Sequence, residues 1–498
     1  MAQNSGSPLS RRSLFKVGGA VAGAVGTLSM LEKLAWIPER VALADATATA
    51  FPDVQFDIGA FTQPARTFDN VTVAMPPVNT TFLTASLARG PSKADQGRME
   101  NALRTIEANY PYSAGGVMTH VSYSNTYFNR LPAAVVNANM PRTLSGNQPV
   151  LKPAVAGPTD VAPGNRVMEL RRAEFNVPVR IETNDILFTI RGDDSSFVAD
   201  VVRWLSGSNV LKGNPVASPR FDAGMTATSS RSHFIQEGLP HKIASNNGLP
   251  FTNFMNPFSP MWMGFADQQV NASSAPAEVT FLGANGIKLT NATAGSYFDR
   301  GSMQHLSHVL LDLQQFFLDG NEPDDPEADH REPFEERVQY MFESPPQVAQ
   351  NEADPFSNGG GPTNLGTIGA FLPNVFRGAN YAQQSAQQFD RIGHISQLHR
   401  SGRTSDGRPI HLRIDGPGFN TMDTTTGRNT PTLEFSGFFT SADFFADLRR
   451  NQGSVDLLQQ FSLPEEDHGL ERFITTTRRQ NYLIPPRRHR SFPLIELT

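Results

Sequence analysis

The sequence predicts an α+β protein with a duplicated layout, helices covering antiparallel sheets. Two observations predict it: apolar residues alternate with the period of a strand and then switch to the period of a helix, and this switch recurs in both halves. Residues 81–87 (Thr-Phe-Leu-Thr-Ala-Ser-Leu) read as a strand. Residues 94–109 follow with helical spacing through Met99, Leu103 and Ile106, and a Gly115-Gly116 turn leads into a second strand over 117–123. A further strand over 185–190 runs into an Asp-capped helix over 195–205, whose apolar side carries Phe197, Val198, Val201, Val202 and Leu205.

In the second half, residues 301–318 begin as a strand and pass into a helix, residues 432–439 alternate as a strand, and residues 443–458 read as the helix packed on it. Residues 132–168 are rich in Pro, Asn and Ala and read as a linker or surface loop. Residues 210–285 are polar and Pro-broken and read as irregular, while residues 321–332, dense in acid and Pro, read as a solvated loop. The expected division is 1–50 as a leader, 51–168 as the first half and 169–498 as the second, with long loop insertions. The halves show no residue-by-residue likeness, so the duplication rests on pattern alone.

The leader carries Ser10-Arg11-Arg12-Ser13-Leu14-Phe15-Lys16, a twin-arginine export signal, followed by a weakly apolar stretch over 17–30. That stretch is interrupted by Gly18, Gly19, Gly23 and Gly26, and falls short of the roughly 20 apolar residues that span a bilayer. Cleavage is expected near Ala42-Leu43-Ala44, with the mature chain starting between Asp45 and Phe51 and working in the periplasm, the cell envelope or outside the cell. Substrates of this route cross already folded, which raises the odds of a cofactor inserted beforehand.

The chain has no cysteine, so disulfides, thiolate haem ligands and Cys-ligated clusters are excluded. Any metal must therefore be held by His, carboxylate, Tyr or Met. A net charge of −6 over 498 residues gives no reason to expect nucleic acid. Neither a G-x-S-x-G elbow nor an H-E-x-x-H pair occurs, which removes the common exported hydrolases.

Three residue types stand out in chain order: Asp267 in Gly264-Phe265-Ala266-Asp267, His394 after Gly393, and Arg413 nineteen positions beyond His394. An imidazole can hold iron from one side, while a carboxylate and a guanidinium act on peroxide from the other. Taken with Phe82-Leu83-Thr84-Ala85, residues 185–190 and Gly301-Ser302-Met303-Gln304, this order resembles the dye-decolourising peroxidase family across nearly all of the mature chain.

The resemblance implies ferredoxin-like units of the dimeric α+β barrel type, haem b as cofactor, and hydrogen peroxide and small aromatic donors as substrates. Carried over by position, His394 would be the axial iron ligand, Asp267 the distal acid–base residue and Arg413 the distal cation. Arg400, Arg403, Leu433 and Phe435 would be further cofactor-binding positions, and a homo-oligomer is the expected assembly.

After Arg413, residues 414–419 stand where the family often has a second basic or polar run leading to Gly. Two single residues depart as well: Gln268 follows the Asp where Gly is usual, and Ser396 stands where many members have an Arg for a haem propionate. These departures keep a second reading open, an exported haem-binding or haem-trafficking protein with weak or no peroxidase activity. The carboxylate behind the ligand stays unassigned among Glu434, Asp443 and Asp447, and Asp415 reads as a turn residue. His305 and His308 read as two faces of one packed element rather than a metal pair, and Trp262 as a packing ring. Trp204, Trp262, Tyr340 and Tyr482 are the conceivable stations for electron transfer to bulky donors.

Overall fold

The computed structural model describes residues 51–498 apart from 69–70, 163–167, 256, 258, 264–273, 320–380 and 401–409. The export signal, Asp267, Gln268, Tyr340 and Arg403 therefore lie outside the described residues. No helix among the described residues is long and apolar enough to cross a membrane.

The first unit is built from β1 (Asn79–Leu87), α1 (Lys93–Asn109), β2 (Met118–Ser124), β3 (Ile186–Gly192), α2 (Ser195–Leu205) and β4 (Met225–Phe234). The second repeats the plan with β5 (Ser302–Leu311), α3 (Leu313–Leu318), α4 (Tyr381–Phe389), α5 (His394–His399), β6 (Leu412–Arg413), β7 (Gly416–Asn420), β8 (Thr430–Phe439), α6 (Ala442–Gly453), α7 (Val455–Phe461) and β9 (Ile474–Ile484). All belong to one ten-stranded sheet in the order β6-β8-β5-β9-β2-β3-β1-β4, with β7 beside β8 and a short parallel strand, Arg180–Ile181, beside β9.

Each half is thus an antiparallel βαββαβ unit with its first strand between its third and fourth, the ferredoxin-like order. The duplicated α+β reading holds. The halves change over between Phe234 and Ser302, later than the division at 168/169 that sequence suggested, because β3 and β4 pair with strands of the first unit.

The units join where Tyr482 and Leu483 of β9 meet Ser124 and Tyr123 of β2. At the far ends the sheet curls back on itself: a Cβ at Gly418 on β7 would lie 3.0 Å from the Ser232 carbonyl of β4. A barrel results. Its inner face carries a small apolar cluster that includes Phe82, Leu187, Leu306, Phe438 and Tyr482, and Phe56 from the N-terminal segment stacks on Phe438 at 4.1 Å. Outside, Leu83, Ile186, Phe188 and Ile190 pack against Met99, Leu103 and Ile106 of α1 and Val198, Val201 and Val202 of α2 in the main core.

Local chemistry sets the helix starts. Ser92 and Asp95 form a reciprocal cap on α1, the Ser92 oxygen accepting from Asp95 N–H and the Asp95 carboxylate accepting from Ser92 N–H. Asp194 caps α2 and Ser441 caps α6. The single helix expected over 443–458 is two helices, broken at Ser454, whose backbone sits in the left-handed region at φ 49°.

Two strands were not legible as such. β4 falls in the region expected to be irregular, and β9 carries Thr, Arg, Gln and Asn through most of its length. Both present polar side chains to the barrel interior, which removes the apolar alternation that marks a strand.

Outside the barrel, the Arg479 guanidinium of β9 binds Asp160 through two bonds of 2.6 and 2.8 Å. Burial alone would raise the Asp160 pKa, but the Arg479 charge holds it down at about 2. Asp160→Ala leaves that guanidinium buried without its anion, so urea unfolding is expected to show a loss of about 3–5 kcal/mol. A loss comparable to that of a surface pair would contradict this.

Candidate functional site

Strand register decides which predicted residues share a face. On β8, Glu434, Ser436 and Phe438 point into the barrel, while Leu433, Phe435, Gly437 and Phe439 point outward. Arg413 on β6 pairs with Gly437 and so belongs to the outer face, alongside Leu433 and Phe435. Gly437 is required there, since an added Cβ would lie 2.7 Å from the Phe439 ring.

Aromatic rings cover this face. Phe445 of α6 stacks on His305 at 3.7 Å and meets Phe439 at 5.0 Å and Phe435 at 6.0 Å. His411 stacks on Phe439 at 6.2 Å.

His394 opens α5, in the helical layer on this same outer side, where α5 packs against α4 and α6. Its charged neighbours are Glu471 and Arg449. The Arg449 guanidinium grips Glu471 with bonds of 2.9 and 3.2 Å, and Thr159 donates to the same carboxylate. Arg449 holds the Glu471 pKa at about 2 against the upward push of burial. Around His394, burial dominates and lowers the imidazole pKa to about 4, Glu471 pulling it up and Arg449 pushing it down. At neutral pH this side chain is an uncharged imidazole beside a fixed carboxylate.

Other candidates are placed elsewhere. Glu434 faces the barrel interior and bonds His308 Nδ1 at 2.7 Å, on the opposite side of the sheet from Arg413. Asp443 pairs with Lys152 and Asp447 with Arg450. None of the three considered carboxylates is the one beside His394; Glu471 is, and sequence spacing held no sign of it because the chain returns there only after β8 and two helices.

Arg400 is engaged with Asp456 of α7 through two bonds of 2.8 and 2.6 Å, so a propionate would have to compete with that pair. Ser396 Oγ donates to the Gly393 carbonyl at 2.8 Å and so ties down the turn that leads into α5.

His305 and His308 lie on opposite faces of β5, as expected of one packed element, and no group of three or more His, Asp or Glu side chains among the described residues could hold a metal ion. Trp262 is a packing ring, its Nε1 donating to the Gly418 carbonyl at 3.0 Å. Trp204 and Tyr482 are buried as well, which removes them from the surface where electron transfer to bulky donors would need them.

A family model with the description "Family of unknown function (DUF7405)" matches residues 77–154 and 165–486. The chain belongs to DUF7405. No curated protein matches it. Solved structures similar to this DUF7405 chain include a DypB variant from Rhodococcus jostii RHA1 in complex with heme, at 14% identity and a TM-score of 0.44, covering 83% of this chain and 94% of the other. The encapsulated DyP-type peroxidase from Mycobacterium smegmatis is 14% identical with a TM-score of 0.42, covering 85% and 96%. The DyP-type peroxidase from Cellulomonas bogoriensis is 12% identical with a TM-score of 0.45, covering 83% and 91%.

The donor chemistry of the DUF7405 chain fits a haem held by one protein ligand. A neutral imidazole could offer its lone pair to iron, the Glu471 carboxylate bears on it electrostatically, and Leu433 and Phe435 offer apolar surface.

Proposed function

We propose that the chain is an exported haem-dependent peroxidase that reduces hydrogen peroxide and oxidises small aromatic donors. One observation carries the reading: His394 and Arg413 lie on the same outer side of the second unit's sheet, the imidazole from the helical layer and the guanidinium from an edge strand. Bound haem b would supply the iron on which peroxide is reduced, taking electrons one at a time from the donor. His394 would hold it, with Leu433 and Phe435 against its apolar surface.

The chain's own residues do the rest. The Glu471 carboxylate, pinned by Arg449 and Thr159, would act on His394 through its charge and favour an imidazole that keeps its proton on the nitrogen away from the metal. The Arg413 guanidinium would stabilise negative charge building on a peroxide oxygen. Asp267 would accept and return a proton of the peroxide, the acid–base part of a reduction for which bound haem would supply the electrons.

The test separates binding from turnover. Arg413→Ala and Asp267→Ala are each expected to keep the Soret band of haem-loaded protein and to lower kcat/KM for peroxide by about two to three orders of magnitude. Loaded variants as active as the native protein would make any turnover that of bound haem alone, and would leave haem binding as the function.

A further inference from the structure

The barrel interior of the first unit concentrates positive charge without the anion that should accompany it. Register across β2, β3, β1 and β4 places Met118, Arg191, Thr80 and His233 in one row and His120, Thr189, Phe82 and Arg231 in the next. Four of these eight side chains are basic and none is acidic. All four are buried: Arg191 is 3% exposed, Arg231 1%, and His120 and His233 0%.

Arg231 has its counter-charge in Glu182, although its Nε and Nη1 find no acceptor. Arg191 has none. Its one hydrogen bond among the described residues runs from Nε to Thr80 Oγ1 at 3.2 Å, so its Nη groups meet no acceptor among those residues, although they are not fully enclosed. Neither ring nitrogen of His120 has a partner, and His233 has none on Nε2. The Arg191 charge bears on both imidazoles, so the three groups share one neighbourhood. Two carboxylates bonded to inward side chains of the barrel are already engaged, Glu182 by Arg231 and Arg478, and Glu434 by His308.

A buried cation without a counter-charge costs several kcal/mol, and each unpaired buried donor adds to that. Burial lowers the Arg191 pKa only to about 10, so the charge stays at neutral pH. A planar anion placed across the two Nη groups would satisfy both at once in the forked geometry that guanidinium favours. His120 would add one N–H, while His233, whose Nδ1–H points to the Glu434 carbonyl at 3.4 Å, packs beside the site. The adjoining Met118 and Phe82 are apolar, which disfavours a dianion and suits a small group with a carbon end.

We infer that the barrel interior is a binding site for a small monocarboxylate, held by Arg191 with His120 and His233 beside it. The site lies on the opposite side of the sheet from Arg413 and does not depend on the peroxidase reading.

Formate and acetate are the probes. The full chain is incubated overnight with each sodium salt against sodium chloride at equal ionic strength, and the melting temperature and the line width of 13C-formate are followed. Saturable stabilisation by formate or acetate, absent with chloride, is expected, and Arg191→Gln should weaken it at least about tenfold. His120→Phe and His233→Phe should each weaken it less, which keeps the test available if Arg191→Gln does not fold. Equal responses to chloride and formate, native-like binding in all three variants, or a formate-soaked crystal with only water between these side chains would overturn the proposal. Formate on haem iron would instead shift the Soret band and survive Arg191→Gln.

Discussion

Replacing His394 by alanine is expected to remove haem from the protein: after loading with haemin and desalting, the native chain keeps its Soret band and the variant loses it. The expected loss of affinity is at least about a hundredfold, since changes merely behind a metal ligand already cost 10–100-fold. The size of the effect follows from the donor inventory. The chain has no thiolate to substitute, and no cluster among the described residues offers a second metal site. His411 lies on the outer face too, but its ring stacks on Phe439 and its position two residues from Arg413 ties it to the strand edge rather than to the helical layer. Added imidazole should restore the band in the alanine variant by filling the space left by the side chain. A variant that holds haem as tightly as the native chain would remove the axial role of His394, while loss of the band together with the circular-dichroism signature of β-sheet would indicate unfolding and call for His394→Gln instead.

The fold was legible wherever one face of an element meets the main core. α2 spans the residues its pattern predicted, with Asp194 as its cap, because its apolar stripe and its capping residue mark the same boundaries. β4 and β9 were not legible, since their inward side chains are Arg231, His233, Arg478 and Gln480, and a polar barrel interior erases period-two hydrophobicity. The change-over between units was placed too early for the same reason: without β4, the first unit has no fourth strand. Of the proposed site, His394 and Arg413 were singled out by residue type; register puts Arg413 on the outer face, and His394 opens a helix in the layer on that side. Glu471 and Arg449 could not, because only tertiary packing brings these charges within electrostatic reach of an imidazole 77 positions before Glu471.

Acid is expected to destabilise this protein well before its surface carboxylates titrate. Burial, reinforced by the Arg191 charge, lowers the His233 pKa to about 3, and burial lowers that of His394 to about 4; His120 and His305 are also pushed well below the ordinary value. An unfolded histidine titrates near 6.5, so below that pH the unfolded chain takes up protons that the folded chain refuses. The stability these groups confer is complete above about pH 6.5 and drains as pH falls towards their folded values, with His233 alone accounting for about 3 kcal/mol by pH 4. The ion-paired carboxylates add a second stage. Asp160 and Glu471, each held at about 2 by Arg479 and Arg449 against the effect of burial, keep their contribution above the unfolded carboxylate range and lose it from about pH 4 down to their folded values. The melting temperature should therefore be flat above pH 7, fall from about pH 6.5, and fall more steeply below pH 4. An Asp base such as Asp267 favours peroxidase turnover at about pH 3–5, where the folded state is losing stability. Initial rates should then peak in acid while activity decays during the assay, and preincubation at pH 4 should abolish turnover that a direct pH jump reveals. A melting temperature unchanged between pH 7 and pH 5 would mean that these imidazoles are hydrated in the folded protein, and the uncompensated interior around Arg191 would have to be filled with water rather than closed.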